Sequence, residues 1–111
     1  DPRLQEETDA VVSVIASCIC GSDLWRYRGM MPSPEPARIG HEFVGIVDEV
    51  GAEVRSVRAG DFVVASFGIS DGTCTHCRNG VPTSCLQGAW WGERDTAGRN
   101  LDAGQGERVR V

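Results

Sequence analysis

The stretch DGTCTHCRNGVPTSC, from Asp71 to Cys85, constrains this chain more than any other. Its cysteines aside, Val81 is its only large apolar residue, so burial alone cannot order it. It holds Cys74, Cys77 and Cys85 in the spacing C-x2-C-x7-C. A C-x2-C turn lets two thiolates bind one ion, and Cys85 returns after the Gly80–Pro82 bend to supply a third. A tetrahedral site needs a fourth donor. Asp71 precedes Cys74 by the same interval that separates Cys74 from Cys77, and it brings one negative charge, as a thiolate does. Its bond to zinc, about 2.0–2.2 Å against about 2.3 Å for sulfur, is within what backbone adjustment absorbs. His76 is the rival donor, but inside the turn its side chain is expected to point away from the ion. The other readings are a water ligand, a reduced metal-free loop, or an iron–sulfur cluster on the same donors. The cluster reading lacks the tight C-x2-C-x2-C run.

A second set of donors lies upstream. Cys20 falls in ICGSDLW, at the end of an apolar strand-like run, and His41 falls in GHEFVG, followed directly by Glu42. Facing one another they would offer an ion a thiolate, an imidazole and a carboxylate. Taken singly, a cysteine beside a strand is more often an inert packed residue, and a histidine more often a hydrogen-bonded core group. Cys18, two positions before Cys20, reads as a small hydrophobe in the strand, with a CxC redox pair as the alternative.

The remaining pattern is mainly β. Residues 10–19 read as a buried strand, and CGSDLWRY as a short helical turn entered from it. RGMMPSPEPARIG is a loop, EFVGIVDEV at 42–50 an alternating strand, and AEVRSVRAG a connection. DFVVASF from Asp61 and ERVRV at the end are further strands, while residues 1–9 and the Gly-rich stretch after Trp91 read as loops. No G-x-G-x-x-G follows a strand; the GQGERV stretch at Gly104 lacks both the third glycine and the strand, so no dinucleotide fingerprint is present. The expected architecture is an irregular, partly open β-barrel with a projecting zinc-binding lobe at about 71–88 and short helical turns.

Composition excludes some functions. The 111 residues fit one domain, and 41% hydrophobic content is enough for a core. Sixteen acids against eleven basic residues, all arginine, give a net charge of −5, the wrong sign for nucleic acid. No apolar run approaches the roughly 20 residues of a membrane span. There is no basic-then-apolar start, so no signal peptide is expected, and clustered cysteines point to metal in a reduced, cytoplasmic setting.

ICGSDLW, GHEFVGIVDEVG, GDFVVAS and a cysteine lobe, in that order, resemble the zinc-dependent medium-chain alcohol dehydrogenases, and more narrowly their GroES-like N-terminal catalytic domain. The resemblance runs from about residue 10 to the end. It implies that Cys20 and His41 are ligands of a catalytic zinc, with Glu42 able to bind in exchange with water. It implies that Ser22 hydrogen-bonds the substrate hydroxyl and passes on its proton, and that Asp23 orients the ligand histidine. Cys74, Cys77 and Cys85 match the last three ligands of a structural zinc, and Asp71 stands where the family usually has the first lobe cysteine. Trp25 stands where many members have a proton-relay histidine. Trp25, Trp90 and Trp91 either line a substrate cleft or, as the favoured reading, pack.

The resemblance further implies a third catalytic ligand beyond position 111, and a Rossmann domain for NAD or NADP that this chain does not contain. The chain then reads as a partial GroES-like domain over 1–111, an internal piece of a longer enzyme and inactive alone. The parent would interconvert an alcohol and an aldehyde or ketone, act on small molecules, and assemble as a homo-oligomer. The alternatives are a non-catalytic zinc-binding barrel module and an iron–sulfur electron carrier.

Overall fold

A computed structural model describes residues 1–32 and 36–111. Its centre is a four-stranded antiparallel sheet in the order β3-β2-β1-β6. Strand β1 is Ala10–Ser17, β2 is Phe43–Val50, β3 is Phe62–Val64 and β6 is Arg108–Arg110. Each falls where β-branched residues run together or alternate, as their preference for a pleated, half-buried surface requires. Between β1 and β2 lies the helical turn α1, Asp23–Tyr27. A two-stranded ribbon pairs β4, Gly68–Ile69, with β5, Ala89–Trp90, and between its strands lie α2, Thr75–Arg78, and a 3-10 turn, Pro82–Ser84. The fold is thus mainly β and partly open: among the described residues the sheet does not close into a barrel.

Two elements differ from the sequence reading. The loop expected after Trp91 contains a bridge, Arg94 to Asn100, and β5 lies just before it. Strand β1 is buried only in its first half, and Ile15 is 61% exposed. The pairing of β1 with β2 is irregular on both sides of that change: Val11 faces Glu49 but Val12 faces Val47, and Val14 faces Gly45 but Ala16 faces Val44. Such bulges bend a strand and re-aim its side chains. The end of β1 therefore leaves the core and delivers Cys18–Ser22 to an accessible rim. The proline-rich loop expected at 28–40 includes residues 33–35, which lie outside the described residues.

The core is small. Val12, Phe43, Val47 and Val109 pack together, with Val14, Val50, Val63 and Trp91 against them. Strand β6 reaches β1 from the far end of the chain, with Val12 opposite Val109. A buried ion pair secures the same junction: the Asp9 carboxylate accepts from Arg110 Nη1 at 3.1 Å and from the backbone N–H groups of Gln5 and Glu6. Arg110 also donates through Nη2 to the Asn100 carbonyl. Removing one partner of a buried pair strands the other charge, at a cost of about 3–5 kcal/mol. Asp9→Ala is accordingly expected to destabilise the fold by about that amount in urea unfolding, whereas a surface change such as Glu53→Ala is expected to stay within about 0.5 kcal/mol.

Candidate metal centres and the adjoining cleft

Between residues 70 and 88 no residue is fully buried, and only Cys74, Cys77 and Cys85 are even half-buried. The lobe is therefore organised around its own sulfurs. One donor atom from each of Asp71, Cys74, Cys77 and Cys85 lies within 4.8 Å of all the others. The sulfur of Cys74 is 3.5 Å from that of Cys77 and 3.9 Å from that of Cys85. Sulfurs bound tetrahedrally at about 2.3 Å lie about 3.8 Å apart, so these separations suit one zinc ion. His76, on α2, is not among the clustered donors.

The electrostatics of the lobe also fit a cation. Backbone N–H groups of Cys74 and Thr73 donate to Asp71 Oδ1 at 3.0 and 2.8 Å and hold that carboxyl well below the usual carboxylate range. Backbone donors from Cys77 and Leu86 lower the Cys74 thiol. The Cys77 thiol is pushed up to about 12, first by desolvation and then by hydrogen bonds to its neighbouring sulfurs and Asp71. Anionic donors thus crowd a spot where, among the described residues, Asp71 has no ion-pair partner. A divalent ion would supply the missing positive charge. Amides of Asp71 and Gln87 donate to the Cys85 sulfur, 3.4 and 3.3 Å away.

The second cluster forms where the end of β1, the start of α1 and the start of β2 meet. Donor atoms of Cys20, His41 and Glu42 lie within 4.8 Å of one another. Ser22 occupies the position that would cap α1, yet its side chain makes no cap hydrogen bond. Its Oγ instead lies 3.3 Å from His41 Nε2. Asp23 Oδ1 is 3.5 Å from His41 Nδ1, and Asp23 Oδ2 accepts from the Cys20 amide at 2.9 Å. One carboxylate therefore touches both arms of the cluster. Hydrogen bonds from the Ser22 hydroxyl and amide, and then from His41, lower the Cys20 thiol toward the thiolate a metal requires. Thiolate, imidazole and carboxylate form a set suited to zinc, and three protein donors leave room for a further ligand.

Cys18 departs from expectation. It is exposed, and its thiol donates to Glu42 Oε2 at 2.6 Å. That bond raises the Cys18 pKa. The strand continues to Ser17 only, so Cys18 has left the sheet and cannot pack as a core hydrophobe.

A cleft of about 300 Å³ opens beside Ser22 and His41. Trp25 and Trp90, 48% and 50% exposed, line it together with Met31, Ile39 and Phe67. The Phe67 ring stands edge-on to His41 at 4.9 Å and contacts Trp90 at 4.8 Å. Trp91 both borders the cleft and packs, against Phe43 at 5.1 Å, donating its indole N–H to the Ser66 carbonyl. The favoured packing role thus holds for Trp91, whereas Trp25 and Trp90 are cleft walls. Two residues to which the sequence reading gives no part in the site also belong here: Phe67, read as the end of the DFVVASF strand, and Gln105, whose amide donates to Asp23 Oδ2 at 3.0 Å. Nothing local in the sequence ties Gln105 to Asp23, because the contact spans 82 positions.

Comparison with known proteins places the chain in a family. Residues 6–111 match the family described as "Alcohol dehydrogenase GroES-like domain". The chain is 38% identical over 110 residues to "Zinc-type alcohol dehydrogenase B" of Aspergillus flavus, covering 99% of this chain and 24% of that protein. A zinc-type alcohol dehydrogenase-like protein of Bacillus subtilis is 37% identical over 119 residues, covering all of this chain and 31% of its own length. Among solved structures, alcohol dehydrogenase TADH from Thermus sp. ATN1 superposes with a TM-score of 0.84 at 42% identity, over 99% of this chain and 32% of that one. A protein of Sinorhizobium meliloti 1021, solved bound to NADP, superposes at 0.71 with 34% identity, over 98% of this chain and 30% of its own. The chain spans about a quarter to a third of the length of these relatives. On this match, and with zinc-type alcohol dehydrogenases as its relatives, the chain belongs to the family of alcohol dehydrogenase GroES-like domains.

Proposed function

We propose that residues 1–111 are the GroES-like part of a longer zinc-dependent dehydrogenase that interconverts an alcohol and an aldehyde or ketone using NAD or NADP. Cys20 and His41 hold a catalytic zinc, Glu42 is an exchangeable ligand, and Asp71, Cys74, Cys77 and Cys85 hold a structural one. The observation that carries the reading is the Cys20–His41–Glu42 cluster opening, beside Ser22, onto an aromatic cleft. When bound, the catalytic zinc supplies Lewis acidity to the substrate oxygen.

The chain's own residues do the rest. Ser22 Oγ, set by its contact with His41, accepts the hydroxyl proton of the substrate by hydrogen bond. Asp23 Oδ1, 3.5 Å from His41 Nδ1, orients the ring so that Nε2 faces the cluster. Trp25, Phe67 and Trp90 line the cleft with apolar surface that would contact the carbon skeleton of the substrate. The alcohol loses a proton from oxygen and a hydride from carbon; the nicotinamide that takes the hydride is held outside this chain. In this reading the 111 residues alone are inactive, clustered free cysteines suit a reduced, cytoplasmic setting, and the whole protein is a homo-oligomer.

Ser22→Ala tests the proton path. In the full-length protein, assayed with a panel of primary and secondary alcohols and each nicotinamide, turnover is expected to fall about 10²–10⁴-fold while cofactor affinity changes little. Unchanged turnover removes Ser22 from the path. Absence of any alcohol-dependent reduction of NAD or NADP by the wild type removes the reaction itself.

A further inference from the structure

The GQGERV stretch, which carries no dinucleotide signature, has a structural use at its second residue. Gln105 Nε2 donates to two acceptors, the Cys18 carbonyl at 3.2 Å and Asp23 Oδ2 at 3.0 Å. Both neighbours only accept, so the atom facing them is the NH₂ of the amide. Its backbone is tied as well: the Gln105 amide donates to the Ile39 carbonyl at 3.2 Å, and the Gly104 amide to the Gly40 carbonyl at 2.8 Å. The approach is so close that a Cβ on Gly40 would lie 2.6 Å from Gln105 Cγ, and Gly40 also has φ of 110°. Only glycine allows this contact in that conformation.

We propose that Gln105 is a positioning residue that fastens the two arms of the candidate catalytic metal site together. One arm runs from Cys18 through Cys20 to Asp23; the other runs from Ile39 through Gly40 to His41. Gln105 holds the first arm through its side chain and the second through its backbone. It also completes the shell of Asp23. With Oδ2 taken by the Cys20 amide and the Gln105 amide, Oδ1 is the oxygen left to His41 Nδ1. The carboxylate cannot rotate away from the histidine without breaking two hydrogen bonds. The inference rests on Cys20 and His41 being metal ligands.

Gln105→Met keeps the length of the side chain and removes the NH₂ donor of both bonds, and Gln105→Lys keeps a donor nitrogen on a flexible stem one atom longer. Zinc release from the full-length protein is followed by competition with a coloured chelator; the phase missing in Cys20→Ala belongs to the Cys20–His41 site. That phase is expected to quicken about 10-fold in Gln105→Met, the low end of the cost of losing a ligand's own hydrogen-bond partner, and to recover most of the way in Gln105→Lys. The lobe phase is expected to stay unchanged in both and serves as the internal control. Wild-type rates in Gln105→Met overturn the proposal, as does equal acceleration of both phases, which marks general loosening. If wild type shows no phase that Cys20→Ala removes, the metal reading itself has failed, and the proposal falls with it.

Discussion

Replacing Cys20 by alanine in the full-length protein is expected to lower alcohol turnover by about 10³-fold or more and to leave unfolding near its wild-type midpoint. A Lewis acid at the reacting oxygen contributes several kcal/mol, and each 1.36 kcal/mol is about tenfold in rate. The fold is spared because Cys20 lies beyond the end of β1 and is absent from the buried cluster of Val12, Phe43, Val47 and Val109. Cys18 is no ready substitute: its thiol already donates to Glu42 Oε2 at 2.6 Å, and Cys18 is not among the clustered donors. Parallel measurement of kinetics and urea unfolding checks both halves. A Cys20→Ala protein with wild-type turnover, or one that loses activity only by unfolding, contradicts the assignment.

The second large effect concerns the lobe. Asp71→Ala is expected to weaken zinc retention and to open residues 71–88 to protease. Asp71→Cys is expected to keep the metal, and His76→Ala to change little. The reasoning is energetic: with no fully buried residue from 70 to 88, the lobe has no core of its own, so metal binding energy is its ordering energy. Asp71 has a second task that sharpens the effect. Its Oδ1 holds the amides of Thr73 and Cys74 and so shapes the turn that presents the first sulfur. Limited proteolysis and metal analysis of the three variants decide the matter; loss of zinc in His76→Ala with retention in Asp71→Ala reverses the choice of fourth ligand.

Much of this was legible in the sequence because it is local. The C-x2-C turn, the strand alternation at 43–50 and the order of ICGSDLW, GHEFVG and the cysteine lobe are short-range patterns, and they lead to the sheet and to both donor clusters. What stayed hidden depends on long-range geometry. The ribbon of β4 and β5 has two residues a side, too few to show a period. Cys18 reads as the next residue of an apolar strand, yet the irregular pairing near Ile15 turns the chain out of the core first. Trp90 and Trp91 are adjacent and chemically alike; β5 ends at Trp90, which forms cleft wall, while Trp91, just past the strand, packs against Phe43 at the cleft border. Gln105 reaches Asp23 only because β6 pairs with β1, bringing the end of the chain beside its first third.

Zinc stoichiometry tests the account most directly. The full-length protein, dialysed free of loose metal and measured by inductively coupled plasma mass spectrometry, should hold two zinc ions per chain. Cys20→Ala should hold one and lack turnover; Cys77→Ala should hold one and be nicked within 71–88 by protease. A wild-type protein with no zinc, or Cys20→Ala and Cys77→Ala variants that each retain two, would contradict the assignment of two separate sites.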